Sequence, residues 1–280
     1  MTLPAKMRVD AALVRGIAEV PLAVVHVGQS AVVLWDRAHR ESTDTLLILT
    51  PETSGLMPGG ACLGTTDFYR VRAEILSNET SASEVVLEGW DSRLTSAKRV
   101  DLVLHETHVS LESALVYEQA LRDLSVADAS PSVMSPDPIR RSAPALAQQA
   151  VSGSVRSETL RAMVGAGPGT TPSGDDVIVG VLAGLRVLGL GEQAASLSRR
   201  VAPLIHETTV ASRHYLSAAA DGRFGEHVHQ LVAALSNGIS TDHTLRRAAS
   251  WGATSGTDLL VGLVATLVTS INTRSTESAA

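Results

Sequence analysis

Hydrophobic positions in the first third of the chain fall in short runs of Val, Ile and Leu, separated by clusters of turn-forming residues. Such runs are typical of β-strands. The predicted strands are Pro21–Val27, Ala31–Trp35, Leu46–Leu49, Tyr69–Ile75 and Glu84–Trp90. Val27-Gly28-Gln29-Ser30 is predicted to be a hairpin connection. Short strands at this spacing predict a small antiparallel barrel or sandwich.

The periodicity becomes helical from Val109 onward. Val109–Leu124 places its large hydrophobic residues roughly on one side of a helix. Ala127–Pro138 is rich in Ser, Pro and Asp and fits a linker or an exposed crossing. The helices predicted after it are Ile139–Ser152, Ser157–Val164, Gly174–Leu188, Glu192–His206, Thr209–Ala220, Phe224–Leu235, Asp242–Trp251 and Thr257–Ser270.

Strands followed by helices indicate an α+β protein. We predict a β-rich N-terminal domain with a closing helix over residues 1–126. A mainly α-helical domain over residues 139–280 would carry the ligand-site motifs.

Composition and charge narrow the classes of partner. Aromatic residues are 3% of the chain and the net charge is −6, which argues against nucleic acid or an anionic membrane as a main partner. Cys62 is the single cysteine, so no internal disulfide is expected. The N-terminal residues do not resemble a signal peptide, and the apolar runs are interrupted or short. A cytoplasmic protein is therefore predicted.

The most informative segment is a glycine-rich run that leads into a helix. Gly165–Gly180 reads GAGPGTTPSGDDVIVG, in which Ser173 and Asp176 have the spacing of a capping box. A shorter version recurs at Ser255–Gly262, which reads SGTDLLVG. Both versions read Ser-Gly-x-Asp, three aliphatic residues and Gly. We expect a duplicated element whose helix starts, Thr171–Gly180 and Thr254–Gly262, face each other around one pocket.

The N-terminus of a helix offers unpaired backbone N–H groups and partial positive charge, and glycine lets an anion approach closely. Phosphate, carboxylate and carbamoyl phosphate are the expected ligands, and the N–H groups of Gly174 and Gly256 are expected to bind them. The alternative is that the Ser-x-x-Asp pattern only stabilises the helix and that the glycines only allow tight packing. Asp175 and Asp176 also have the chemistry to bind Mg²⁺ beside a substrate phosphate, although acids in a first turn suit the helix dipole as well.

Residues outside the two glycine-rich segments are also candidates for the ligand site. Thr209, Ser212 and Arg213 would occupy neighbouring turns, where Arg213 could supply a fork for a carboxylate or phosphate. Glu226 opens a helix, where a general base and a simple dipole partner are both plausible. Cys62 would be a nucleophile only with a base nearby, and a small buried residue is the alternative.

Several motifs resemble those of a known family. Gly167-Pro-Gly-Thr-Thr-Pro-Ser-Gly-Asp-Asp176 is similar to the signature of the AllH-like proteins, formerly a domain of unknown function. Thr208–Ser212, Gly225-Glu226 and Gly252–Asp258 resemble the later motifs of that family in the same order. Thr170 departs from the motif, where a larger aliphatic residue is usual.

The resemblance implies a role close to the oxamate carbamoyltransferase of anaerobic allantoin breakdown. In that system an AllH-type chain and two other subunits convert oxalurate and phosphate to oxamate and carbamoyl phosphate. The resemblance also implies which residues line the site, namely those at the matching motif positions of this chain. These are Gly167, Gly169, Ser173, Gly174, Asp175 and Asp176, with Ser255, Gly256 and Asp258 opposite.

The leading hypothesis is a carbamoyltransferase-related enzyme subunit that binds a small anionic substrate and works with companion subunits. No cofactor is expected, apart from Mg²⁺ in the alternative above. The predicted catalytic residues are Asp175, Asp176 and Asp258. The predicted substrate-binding residues are Gly167, Gly169, Thr171, Ser173, Gly174, Thr209, Ser212, Arg213, Glu226, Thr254, Ser255 and Gly256. The competing hypotheses are a non-catalytic assembly subunit and a Mg²⁺-dependent phosphate-ester or nucleotide enzyme.

Overall fold

The computed structural model describes residues 3–14, 16–36, 45–78, 84–127, 138–237 and 241–278. The chain forms two compact units. The first contains residues 1–103 and 223–227, and the second contains residues 104–222 and 228–280. The predicted linker Ala127–Pro138 lies outside the described residues except for its two ends.

The first unit is built on one mixed sheet. Its strands within the described residues are β1 (Met7–Asp10), β2 (Leu22–Val27), β3 (Val32–Trp35), β4 (Leu46–Pro51), β5 (Gly60–Leu63), β6 (Glu84–Val85) and β7 (Lys98–Val100). Their order is β6-β2-β3-β4-β5-β1-β7. The pairs β4–β5 and β1–β7 are parallel, and the other neighbours are antiparallel.

The α+β class is therefore confirmed, whereas the small antiparallel barrel or sandwich is wrong. The sheet is mixed and open, with β6 and β7 at its two edges. The connection after β4 returns the chain to the start of that strand, so β5 pairs with β4 in parallel, Ile48 opposite Gly60. The predicted hairpin after Val27 is confirmed, and the Gly28 N–H donates to the Ala31 carbonyl at 2.8 Å.

One predicted strand is a helix. Tyr69–Ile75 lies within α1 (Thr65–Asn78). Phe68, Val71 and Ile75 are buried in the core beneath the sheet, at the three- and four-residue spacing of a helix face. The predicted strand Glu84–Trp90 is also shorter than expected, because β6 ends at Val85 and Trp90 begins α2 (Trp90–Ser96).

The second unit is helical. Its helices within the described residues are α3 (Leu111–Ala127), α4 (Pro138–Val151), α5 (Ser157–Met163), α6 (Ser173–Val187), α7 (Gly191–Val201), α8 (Val210–Ala220), α9 (Glu226–Asn237), α10 (Thr241–Ala249) and α11 (Ser255–Ser278). The first two residues of α9 belong to the first unit. A 3₁₀ turn, Ala202–Glu207, continues α7, where one helix to His206 was predicted. Helix α3 lies in the second unit, whereas the sequence assigned it to the N-terminal domain.

Helices α6 and α11 form the centre of the second unit. Almost every residue of α6 is buried, and α11 buries Leu260, Leu263, Val264 and Leu267. Within the described residues, Ser255–Thr273 is long and apolar enough to span a membrane by length and composition. A buried core helix meets the same criterion, and more than half of this segment is buried inside the protein.

Candidate functional site

The two Ser-Gly-x-Asp segments lie side by side at the N-termini of α6 and α11. The hydroxyl oxygens of Thr171 and Ser255 are 2.7 Å apart and share a hydrogen bond. These residues precede and begin the two helices, so the bond joins one start to the other. The expected juxtaposition of the two starts is therefore present. We call Thr171–Asp176 together with Ser255–Asp258 the paired helix starts.

The glycines of the repeat let backbones approach closely. A Cβ added at Gly180 would lie 2.0 Å from the Leu259 carbonyl oxygen, and one at Gly262 would lie 2.2 Å from that of Val177. Each helix therefore presses a glycine against the backbone of the other. Gly174 and Gly256 are similarly crowded, by the carbonyl oxygens of Met163 at 1.9 Å and Ala248 at 2.1 Å. Close packing accounts for all of these glycines.

The two backbone N–H groups that were expected to bind an anion already donate hydrogen bonds within the protein. The Gly174 N–H donates to the Ala166 carbonyl at 2.9 Å, and the Gly256 N–H donates to the Trp251 carbonyl at 2.9 Å. The expectation that these two groups hold an anion is therefore wrong. The loops before the helices fold back, and their carbonyls satisfy the donors that a bare helix end would leave open.

The capping box predicted from Ser173 and Asp176 is not formed. Ser173 is the first residue of α6, and Pro172 occupies the N-cap position without a side-chain hydrogen bond. The Pro172 carbonyl accepts from the N–H groups of both Asp175 and Asp176, at 3.0 and 3.2 Å. The helix thus begins one residue earlier than the capping box requires.

Asp175 ties the glycine-rich loop and the start of α8 to α6. Its buried carboxylate accepts the Gly165 N–H at 2.9 Å and the hydroxyl of Thr208. Burial raises the pKa of Asp175, while these donors and the nearby Ser212 oppose the rise. Gly165 has a φ of 71°, a left-handed conformation that favours glycine. Asp175 thus fixes the position of two connecting segments.

The predicted residues of α8 lie beside this loop. Thr209 caps the helix, because its hydroxyl oxygen accepts the Ser212 N–H at 3.1 Å. The same hydroxyl donates to the Thr170 carbonyl at 2.5 Å. The buried Ser212 hydroxyl makes no hydrogen bond of good geometry with a described residue, although it lies close enough to lower the pKa of Asp175. Arg213 is half-buried on α8.

Asp176 and Asp258 form a buried acidic pair between α6 and α11. One carboxylate oxygen of each, Oδ2, has no hydrogen-bond partner among the described residues. Burial raises the pKa of Asp176 well above its ordinary value, and the charges of Asp258 and Asp175 add to the rise, while hydrogen bonds from Ser255 and Thr171 oppose it. A carboxyl group whose burial favours its protonated form therefore lies near a second carboxylate, an arrangement suited to holding a proton or accepting N–H groups from a ligand.

Arg140 supplies the positive charge at this pair. Its Nε donates to Asp258 Oδ1 at 2.6 Å, so Asp258 is ion-paired. Asp176 makes no ion pair with another described residue. Arg140 is not among the predicted site residues, because it lies on α4, far from both motifs along the chain. Its position just after the Ser/Pro/Asp stretch carried no signal of this contact.

The loops that precede the paired helix starts are more exposed than the helix starts themselves. Gly167, Gly169 and Thr254 are exposed, and Thr171 and Ser255 are partly exposed. The hydroxyl groups of Thr171 and Ser255 lie close enough to Asp176 to lower the pKa of its carboxyl. No group of three or more His, Cys, Asp or Glu side chains suited to a metal ion occurs in the part of the chain that the structure describes.

The region of the chain that is similar to a known family lies in the second unit, apart from residues 223–227. Residues 163–267 match the family model of the oxamate carbamoyltransferase subunit AllH. This match confirms the resemblance to AllH-like proteins inferred from the motifs. The AllH match contains the glycine-rich loop, α6, α8 and the start of α11. No curated protein and no solved structure matches the chain significantly.

Glu226 lies within the AllH match but belongs to the first unit, where it binds Arg8. The Arg8 guanidinium reaches both carboxylate oxygens of Glu226, with Nη2 to Oε2 at 3.0 Å. Glu226 Oε2 also accepts the Leu56 N–H at 2.8 Å. Its interactions in the first unit are therefore those of a structural anchor, and its predicted substrate-binding role stays a prediction.

Cys62 is buried beside the same arginine. Its Sγ lies 3.5 Å from Arg8 Nη2, and burial raises the pKa of its thiol while the charge of Arg8 opposes the rise. A buried thiol with a raised pKa is a poor nucleophile. The structure thus favours the alternative of a small buried residue.

Proposed function

We propose that this chain is a carbamoyltransferase-related subunit whose second unit binds an anionic carbamoyl or phosphate ligand at the paired helix starts. The AllH match over residues 163–267 carries the proposal, because it contains both starts. The proposed reaction converts oxalurate and phosphate to oxamate and carbamoyl phosphate. The description of the family model as one subunit of an enzyme supports companion subunits.

The buried carboxylates suit the chemistry of a carbamoyl group. Transfer from oxalurate forms a C–O bond to phosphate and breaks a C–N bond, and the departing nitrogen gains a proton. Burial raises the pKa of Asp176 and so favours its protonated form, and we assign this carboxyl the role of proton donor. The Oδ2 atoms of Asp176 and Asp258, which have no hydrogen-bond partner among the described residues, would accept hydrogen bonds from the N–H groups of the ligand.

The anionic end of the ligand needs donors that do not belong to the helix backbone. Thr171 and Ser255 share one hydrogen bond, and their hydroxyl groups also lie close enough to hydrogen-bond the Asp176 carboxylate. When Asp176 is protonated, the hydroxyl proton that is not used in the shared bond can be donated to an oxyanion instead. Both residues are partly exposed. We therefore place the oxyanion at these hydroxyls and the carbamoyl nitrogen deeper, towards Asp176.

A non-catalytic assembly subunit is the second candidate. The observation that favours it is the engagement of the Gly174 and Gly256 N–H groups by backbone carbonyls. In this case the paired helix starts hold α6 and α11 together, and chemistry takes place on a companion subunit.

Replacing Asp176 by Asn separates the two candidates, since the amide keeps the shape of the side chain but cannot donate the proton in the same way. The variant should assemble with its companion subunits and lose at least about a hundredfold in turnover of oxalurate with phosphate. Glu192→Gln, which removes an exposed carboxylate from the first turn of α7, is the matched control and should retain full turnover. Full turnover by Asp176→Asn would reject a catalytic role for Asp176, and failure of the folded variant to assemble would favour the second candidate.

Ligand binding is tested separately from turnover. The complex should melt at a higher temperature with phosphate, carbamoyl phosphate or oxalurate, because a ligand that binds the native state stabilises it. Failure of all three compounds to shift the melting of the assembled protein would reject the proposed ligand class.

A further inference from the structure

We propose that the first unit contains a separate binding site for a small oxyanion with two negative charges, such as phosphate or a dicarboxylate. The site is a cavity of about 450 Å³, within the size range of small-molecule pockets. It lies where β1 and β7 meet the end of α2, and every residue that lines it belongs to the first unit. This inference goes beyond the proposed function, which concerns the second unit.

The lining of the cavity is basic in a chain whose net charge is −6. Lys6, Arg8, Arg93 and Lys98 contribute four cations, and Glu52 contributes one carboxylate. Lys6 and Lys98 are also the only lysines in the sequence, where every other side chain counted among the 23 Lys and Arg residues is arginine. Both lysines of the chain therefore line the same cavity.

The sheet places three of the lining side chains in one row. Arg8 on β1 is directly opposite Cys62 on β5 and Lys98 on β7. Residues directly opposite each other on neighbouring strands share a face of the sheet. The row Cys62, Arg8 and Lys98 therefore forms part of the wall, and its geometry is fixed by the backbone.

The charge of Arg8 is compensated, whereas the other cations have no acidic partner in the described part of the chain. Glu226 holds the Arg8 guanidinium through both carboxylate oxygens. Lys6, Arg93 and Lys98 make no ion pair with another described residue. With Glu52 as the opposing charge, the cavity retains an excess of two positive charges. This excess matches a doubly charged oxyanion, and lysine ammonium groups bind such anions as flexible point charges.

The two lysines provide a direct test on the full chain. Acylation of Lys6 and Lys98 by an amine-reactive reagent is followed by peptide mass spectrometry, with inorganic phosphate, malonate or sodium chloride at equal ionic strength. A bound oxyanion keeps both ammonium groups charged and shielded, so phosphate or malonate should slow acylation of both lysines about threefold or more. Protection by phosphate alone identifies a phosphate site, and protection by malonate alone identifies a dicarboxylate site. Absence of protection by both, or equal protection by sodium chloride, overturns the proposal.

Substitutions of the residues that line the cavity test whether the anion binds there. Lys98→Gln and Arg93→Gln should each weaken phosphate or malonate binding, measured by calorimetry, by about tenfold, because each removes one charge-assisted contact. Arg161→Gln, at an exposed position on α5, is the matched control and should bind as the unaltered chain does. Protection of Lys6 and Lys98 from acylation reports on this cavity alone, so it should be the same in Asp176→Asn as in the unaltered chain. Loss of this protection in Asp176→Asn, or unchanged binding in both cavity variants, would overturn the proposal.

Discussion

At the scale of single residues, the three aspartates of the paired helix starts have different environments. Asp175 is satisfied by the Gly165 N–H and the Thr208 hydroxyl. Asp258 is ion-paired with Arg140. Asp176 keeps a buried oxygen without a hydrogen-bond partner among the described residues, and burial raises its pKa well above the ordinary value. The structure thus distinguishes a positioning residue, Asp175, from the candidate proton donor, Asp176.

The positioning role of Asp175 predicts a loss of stability on truncation. Asp175→Ala leaves the Gly165 N–H and the Thr208 hydroxyl without their acceptor, so the free energy of unfolding should fall by about 2–4 kcal/mol. Urea denaturation measures this change. Gln230→Ala, at an exposed position on α9, should change the free energy of unfolding by less than about 0.5 kcal/mol. Equal effects of the two substitutions would contradict the role assigned to Asp175.

The raised pKa of Asp176 predicts a specific dependence of stability on pH. The native state binds this proton more tightly than the unfolded chain, whose ordinary carboxyl pKa is 3.8. The stabilisation is therefore fully present below that value and is lost as the pH rises through the raised pKa. Asp176→Asn has no such proton to lose, so its stability relative to the unaltered chain should increase as the pH rises from about 4 through the raised pKa. Urea denaturation across this range tests the prediction, and a constant difference between the two proteins would show that Asp176 ionises normally.

At the scale of elements, the repeated Ser-Gly-x-Asp motif describes a contact between two helices. Gly180 of α6 lies against the Leu259 carbonyl of α11, and Gly262 of α11 lies against the Val177 carbonyl of α6. The contact is reciprocal, and the Thr171–Ser255 hydrogen bond joins the same two starts. The duplication thus supplies two matching faces that pack without intervening side chains.

This close packing predicts that alanine is not tolerated at the contact. Gly180→Ala or Gly262→Ala places a methyl group where backbone atoms of the other helix stand, so the free energy of unfolding should fall by about 2–3 kcal/mol or more. Gly191→Ala is the matched control, because a Cβ there meets nothing within 4 Å. It should be neutral or raise the free energy of unfolding by up to about 1 kcal/mol. Thermal and urea unfolding measure both changes, and a neutral Gly180→Ala would show that the helices can separate at low cost.

Sequence patterns predicted the helical part of the protein better than the sheet. The helices of the second unit follow long apolar periodicities, which are the most reliable signals in a sequence. Gly60–Leu63 was missed because all of its side chains are buried, so no alternation marks it as a strand. Tyr69–Ile75 was assigned to a strand because the run is short, and its buried Val71 and Ile75 fit a helix face as well.

The candidate site was predictable only in part, because some of its contacts join residues that are far apart along the chain. The internal repeat indicated that two helix starts belong together, and this is a property of the sequence alone. The carbonyls of Ala166 and Trp251 that occupy the Gly174 and Gly256 donors depend on the path of the loops, which the residue types do not specify. The contact between Arg140 and Asp258 is non-local and has no sequence signal.

At the scale of the whole molecule, the first unit depends on a short segment from the second half of the chain. Residues 223–227 belong to it, and the Phe224 N–H donates to the Leu102 carbonyl at 2.9 Å. Arg223 pairs with the buried carboxylate of Asp10 at 3.0 Å, and Glu226 pairs with Arg8. Both ion pairs attach this segment to β1.

The attachment predicts that Asp10 is important for stability. Its carboxylate also accepts the Gly59 N–H at 2.7 Å and the Ala12 N–H at 3.0 Å. Asp10→Ala leaves these donors and the Arg223 guanidinium without their acceptor, so the free energy of unfolding should fall by about 3 kcal/mol or more. Glu88→Ala, which removes an exposed carboxylate from the same unit, should have little effect. Chemical denaturation compares the two variants, and a small effect of Asp10→Ala would contradict the anchoring role.

The discontinuous first unit has a consequence for protein synthesis. Domains generally fold from the N-terminus as the chain leaves the ribosome. Here a nascent chain that ends before residue 223 exposes Arg8 and Asp10 without the salt-bridge partners that they have in the finished protein. The first unit is therefore completed only after the helices between its two segments have been made.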